Sequence, residues 1–202
     1  MKKVTFPRSV ILVTLCYLIA AIVSAYLQKN WEFLRVYIPF FVLVSLLVAF
    51  MHRRVNFSLP ILWALSLWGA MHLAGGLVPL PDGWAYQGPH QVLYSWWIAG
   101  NWLKYDMVVH AYGFGAATWL TWEAFRASVQ QRLGRKLFPS VGMVALCVLA
   151  GMGLGALNEL VEFAAVLNLP DTNVGGYFNT GWDLVFNLVG CCFAGLLILF
   201  RG

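Results

Sequence analysis

Charge is the scarcest ingredient of this sequence. Only 10% of its 202 residues are Asp, Glu, Lys or Arg, where soluble domains carry about 25%, and that shortfall excludes a water-soluble globule. Cysteine is sparse as well. Cys16, Cys147, Cys191 and Cys192 all lie within apolar stretches and form no CxxC pair, so a disulfide framework and a thiolate metal site have little to build on. They read as small apolar packing residues. Strict alternation of polar and apolar residues is missing, which argues against a transmembrane barrel. What remains is 61% hydrophobic, with 16% aromatics that include ten Trp. Such a composition suits a chain with two lipid–water interfaces.

A helix crossing about 30 Å of hydrocarbon needs about 20 mostly apolar residues. Six stretches qualify, over residues 9–27, 33–51, 59–78, 105–125, 139–167 and 181–200. The fifth is long enough to tilt or to carry an interfacial turn. The expected fold is all-α: a polytopic bundle of about six transmembrane helices, with residues 1–202 forming one integral membrane domain. In a soluble protein the net charge of +5 would suggest nucleic acid as a partner. Here the partner is the lipid bilayer, and the basic excess reports orientation. Lys2, Lys3, Arg8, Arg53, Arg54, Arg126, Arg132, Arg135, Lys136 and Arg201 fall on one side, against Lys29, Arg35 and Lys104 on the other. By the positive-inside rule both termini are expected in the cytoplasm, with the 79–104 and 168–180 connections outside. Val23, Ser24 and Ala25 close the first apolar run like a signal-peptide cleavage site. The run is longer than a usual signal core, so retention of the helix is expected.

Several other features read as structural. Gly142, Gly151, Gly153, Gly155 and Ala156 in the fifth span are small residues that allow close helix approach. Their GxG pattern lies mid-helix with no strand before it, so it is not a nucleotide loop. Tyr94, Trp96, Trp97 and Trp102 are expected to form an outer interfacial belt, with Trp97 and Ile98 dipping into lipid. Glu123 is expected to pair with Arg126 at the inner face, and His90 to sit in a loop.

The informative residues are the polar ones that hydropathy should have removed. Asp106, Glu159, Glu162 and Asp183 lie in the spans, with His72, His110 and Asn187. Four isolated charges at mid-bilayer would cost on the order of 10 kcal/mol, so they must be shallow, paired, hydrated or metal-bound. Counting about 1.5 Å per residue from each outer helix end puts Asp106 and Asp183 about 3 Å deep, and His72, His110, Asn187, Glu162 and Glu159 about 8–12 Å deep. Four helices thus contribute to one polar slab. Asp106 and His110 are i,i+4, Glu159 and Glu162 i,i+3, and Asp183 and Asn187 i,i+4, so each pair shares a face. His nitrogen with carboxylates suits a divalent metal, with His72, His110, Glu159, Glu162 and Asp183 as candidate ligands. Two neighbouring Glu residues also suit general acid–base work with His110. A proton or ion relay is a third role, and a hydrogen-bonded network holding four helices in register is the purely structural one.

At these positions the chain resembles a known group. His72-Leu-Ala-Gly-Gly, Tyr105-Asp106 with His110, Gly113-Phe114 and Trp122-Glu123 resemble the YjdF-like bacterial inner-membrane family. Glu159-Leu-Val-Glu162 followed by Asp183-Leu184, Asn187 and Gly190 fits it too. That last part also resembles the more distant VanZ-like family, associated with teicoplanin resistance. Where VanZ-like proteins carry a basic residue shortly before the last Asp, this chain reads Asn173 through Gly181. The resemblance implies a multi-pass protein of the bacterial inner (plasma) membrane. Three functions follow. One is an enzyme, a metal-dependent or acid–base hydrolase or transferase acting on a lipid or lipid-linked substrate from the outer leaflet. The second is a small proton- or ion-coupled carrier, disfavoured by the lack of polar residues through the inner half of the spans and of an inverted repeat. The third is an accessory protein with a structural polar core.

Overall fold

Each apolar run becomes a helix in the computed structural model, which describes residues 5–201. Helix α1 is Arg8–Leu27, α2 is Ile38–Val55, α3 is Leu59–Leu77, α4 is Tyr105–Leu133, α5 is Val141–Asn168 and α6 is Tyr177–Arg201. A π turn over Phe33–Tyr37 leads directly into α2. Pro39 in the first turn of α2 explains it: proline has no N–H to give to the carbonyl one turn back, and the ladder widens before it. Five of the six, with the π turn counted into α2, are long and apolar enough to cross a membrane.

The exception is α4, and its position explains why. It runs through the middle of the bundle, packed against α3, α5 and α6, and no residue from 105 to 125 is exposed. A helix without a lipid-facing stripe is free to carry polar residues. Leu149, Leu160, Val189 and Phe193 on α5 and α6 are exposed instead and form the outer apolar surface. Beyond residue 125 helix α4 continues to Leu133, where exposed Arg126 and Arg132 suit water, and Gly134 ends it in the left-handed region at φ 64°.

Successive helices alternate in direction. Gln28 at the end of α1 donates to the Leu77 carbonyl at the end of α3, so those two are parallel. Helix α2 runs back, because His52 in its last turn packs on Phe6 beside the start of α1. Tyr105 opens α4 and donates to the Met71 carbonyl near the end of α3. Asn179 in the first turn of α6 donates to Asp106 in the first turn of α4, so those two are parallel, and residues 5–8 and Arg201 share one end of the bundle. Lys2 and Lys3, counted in the orientation argument, lie outside the described residues.

Close crossings hold the second half together. A Cβ on Gly190 of α6 would collide with the Ala111 carbonyl of α4, and one on Gly155 of α5 would meet Asn187 Nδ2 at 2.6 Å. Gly151 and Gly155 thus serve the contact expected of them. Gly142 and Gly153 do not, since nothing lies within 4 Å of their Cβ positions among the described residues; Ala156 is exposed too. They fall on the other face of the helix.

Two further expectations change. Glu123 is buried, and its carboxylate accepts from the Ser58 N–H at 2.8 Å, the Ser58 hydroxyl at 2.6 Å and Trp119 Nε1 at 3.2 Å. It satisfies donors at the start of α3 instead of pairing with Arg126, because buried donors compete better than a solvated guanidinium. Tyr94 leaves the interfacial belt: its ring turns inward against His72. Trp96 stacks on Trp84 with centroids 4.5 Å apart, while Trp102 remains exposed. A short hairpin, β1 (Trp97–Ala99) with β2 (Leu103–Lys104), leads into α4.

Candidate functional site

His110 is the hub. It is buried on α4, and its Nδ1 lies 3.0 Å from Asn187 Oδ1 on α6 and 3.8 Å from Glu159 Oε1 on α5. Its Nε2 lies 3.6 Å from Asp106 Oδ1 and 3.9 Å from Asp183 Oδ1. With the Asn187 oxygen facing Nδ1, the tautomer that completes this hydrogen bond carries its proton on Nδ1, and Asn187 accepts it. The Nε2 lone pair then points toward two carboxylates. In that tautomer three acceptor atoms converge, an arrangement that a proton or a metal cation held among them stabilises.

The neighbours support the same geometry. Asn179, one turn before Asp183, donates to Asp183 Oδ2 at 2.5 Å and to Asp106 Oδ2 at 3.3 Å, pinning the outer oxygen of each carboxylate. Lys104 donates to Asn179 Oδ1 at 3.0 Å and stands 3.9 Å from Asp106. On α5, Asn158 donates to Glu162 Oε1 at 2.9 Å. Glu159 is different: both its oxygens are buried without a hydrogen-bond partner among the described residues, and so is Asn187 Nδ2. Two groups have ligand atoms within 4.8 Å of one another, Asp106–His110–Asp183 and His110–Glu159–Glu162. They share His110. The first uses the free Nε2, whereas Nδ1 is committed to Asn187, so the first is the better metal triad.

Of the seven expected residues, Asp106, His110, Glu159, Glu162, Asp183 and Asn187 thus meet from three helices. Helix α6 begins at Tyr177, before the expected start at residue 181, so Asp183 lies about 9 Å along the axis from the helix start. His72 does not join the triads. It stands across a cavity of about 620 Å³ also lined by Asp106, Glu162, Tyr37 and Lys104. Its ring is caged by Phe33, Tyr37, Phe41, Trp68 and Tyr94 at centroid distances of 4.7–6.4 Å. Its Nε2 and the Tyr94 hydroxyl have no partner among the described residues.

Sequence reasoning missed residues that complete the site and its cavity. Asn158 and Asn179 each precede a chosen acid by four residues, so the same-face rule could have found them. Glu32, just before the π turn, carried no signal. It is buried and accepts from the Asn173 N–H at 2.9 Å, tying the 168–176 loop to the α1–α2 connection. Burial raises its pKa above the usual carboxylate value, and the Asn173 bond offsets part of that rise. Burial likewise pushes the Tyr94 phenol up. His90 reaches Asp171 at 3.3 Å, so the two loops at this end of the bundle touch.

A family model described as predicted membrane protein (DUF2238) matches residues 6–202. No curated protein and no solved structure matches the chain.

Proposed function

The chain belongs to the DUF2238 family of predicted membrane proteins, and we propose that it is a metal-dependent enzyme acting on a lipid or lipid-linked substrate. The observation that carries this reading is the convergence of Asp106 Oδ1, Asp183 Oδ1 and His110 Nε2 beside a cavity. One nitrogen with two carboxylates suits Mn, Fe or Zn. Bound there, such an ion would polarise a substrate oxygen or acidify a water. The protein's own part is separate. Asn187 keeps the His110 lone pair aimed at the ion, and Asn179 with Lys104 holds the two aspartates in place. Glu159, with both oxygens unpaired, is the base that takes a proton from water or a substrate hydroxyl.

The cavity is bordered by Trp182, Tyr177 and Phe178, all exposed. Aromatic rims of this kind sit at headgroup level, so a lipid can present its polar part without leaving the bilayer. With the basic end in the cytoplasm, the mouth faces the outer leaflet of a bacterial inner membrane, and the YjdF-like pattern belongs with this same family. The VanZ-like likeness supports no shared substrate, since Asn173 through Gly181 replaces the basic residue. A carrier is disfavoured because Phe114, Cys191 and Trp68 close the core beneath His110.

Metal analysis of the purified protein tests the reading. About one equivalent is expected in the native chain, lost in His110→Ala and Asp183→Asn and retained in Glu159→Gln, which loses turnover only. A metal-free native protein whose variants are merely less stable would leave a structural network in its place. Lipid profiles of cells with and without the gene test the substrate class; identical profiles would remove it.

A further inference from the structure

A second cavity, of about 890 Å³, opens between α1, α2 and α3, and none of the metal-centre residues lines it. Its walls include Val10, Leu18, Val44, Val48, Leu62 and Leu65. The hydroxyls of Thr14 and Ser66 satisfy each other at 2.8 Å, so they ask nothing of an occupant. Arg53, in the last turn of α2, lines one end. From Val42 to Arg53 the cleft follows α2 for about 16 Å, close to half of the roughly 30 Å hydrocarbon core. It is therefore one leaflet deep, apolar along its length and cationic at its rim.

Charge decides among occupants. Seven of the eight acidic residues lie toward the opposite end; Glu123 is the exception, and Ser58 and Trp119 occupy it. Arg54 lies over the Phe50 ring at 5.4 Å, whereas Arg53 has no carboxylate partner among the described residues. A zwitterionic lipid would bring a phosphate already neutralised by its own ammonium. A second copy in the same membrane has the same orientation and would bring its own basic end beside it. We propose that the cleft holds the acyl portion of one anionic phospholipid from the leaflet at the basic end, with its phosphate against Arg53.

Native mass spectrometry of the delipidated full chain, offered equal amounts of phosphatidylglycerol and phosphatidylcholine with identical chains, tests this. One phosphatidylglycerol is expected to be retained with a preference of about fivefold, the effect of one basic residue at an anionic surface. Arg53→Gln abolishes the preference, and Arg54→Gln keeps it. Ser45→Trp, which fills the cleft, lowers retention of both lipids. Equal retention by the native chain, a preference surviving Arg53→Gln, or undiminished binding in Ser45→Trp would overturn the proposal. So would a dimer that lipid fails to dissociate. Metal content plays no part in these outcomes, so the site at His110 can fail without touching this one.

Discussion

A buried imidazole has two nitrogens to settle, and at His110 one of them is settled by Asn187 at 3.0 Å. Replacing Asn187 by Ala frees the ring to rotate and to change tautomer while leaving all three ligands in place. Metal affinity is expected to fall about 10–100-fold, the usual cost of losing an orienting partner, in a competition titration, while the helical circular-dichroism signal persists. An unchanged affinity would mean that Nδ1, not Nε2, faces the ion. Glu32 makes a different point, because its raised pKa has a sign consequence. A carboxyl that holds its proton more tightly when folded favours the native state at low pH and loses that contribution as pH rises through the folded value. Glu32→Gln keeps an oxygen for the Asn173 N–H and removes the charge. The native melting temperature is therefore expected to drop relative to Glu32→Gln as pH is raised from about 4 to 7; a difference that grows the other way would show that hydrogen bonds to the carboxylate outweigh its burial. At Glu123 three donors lose their acceptor together, so Glu123→Ala is expected to cost about 1–3 kcal/mol in unfolding experiments without changing metal content.

At the level of elements, what the sequence made legible was whatever faces lipid. Runs of exposed Leu, Val and Phe have no other explanation, and α1, α3 and α5 begin and end within two residues of the hydrophobic boundaries. Helix α6 starts earlier than its hydropathy indicates because Asn179 in its first turn is needed at the site, and hydropathy has nothing to say about that. The inward turn of Tyr94 and the role of Glu32 were hidden for the same reason: both depend on loops packing over the bundle, and such packing leaves no period to read. Three helices supply His110 and the five polar residues around it because α4, α5 and α6 cross closely, and small residues permit it. Gly190→Val should therefore separate α4 from α6, lowering both thermal stability, by about 1–3 kcal/mol or more, and metal affinity. Gly153→Val faces open space and should change neither. If the two variants behaved alike, the crossing at Ala111 would not be what sets the ligand geometry.

Over the whole molecule, charge is sorted by sign. Glu32, Asp82, Asp106, Glu159, Glu162, Asp171 and Asp183 gather toward the end that holds the site, and Arg8, Arg53, Arg54, Arg126, Arg132, Arg135, Lys136 and Arg201 gather at the other. Two different forces produce the sorting. Basic residues near helix ends set insertion and are retained on the cytoplasmic side. The acids within the bundle cost too much in hydrocarbon to sit there without a cation and a polar mouth. On the proposed reading the first force puts the cavity on the external face, where a lipid of the outer leaflet can reach it. The orientation can be read with an impermeant maleimide on intact cells, in a chain whose four native cysteines have been replaced. Asp82→Cys, in the long loop on the site side, is expected to react, and Arg132→Cys, beyond the last membrane turn of α4, only after the cells are opened. Both positions are exposed, so neither result can be blamed on burial. The reverse pattern would put the metal triad in contact with the cytoplasm, and the substrate would then have to come from the inner leaflet.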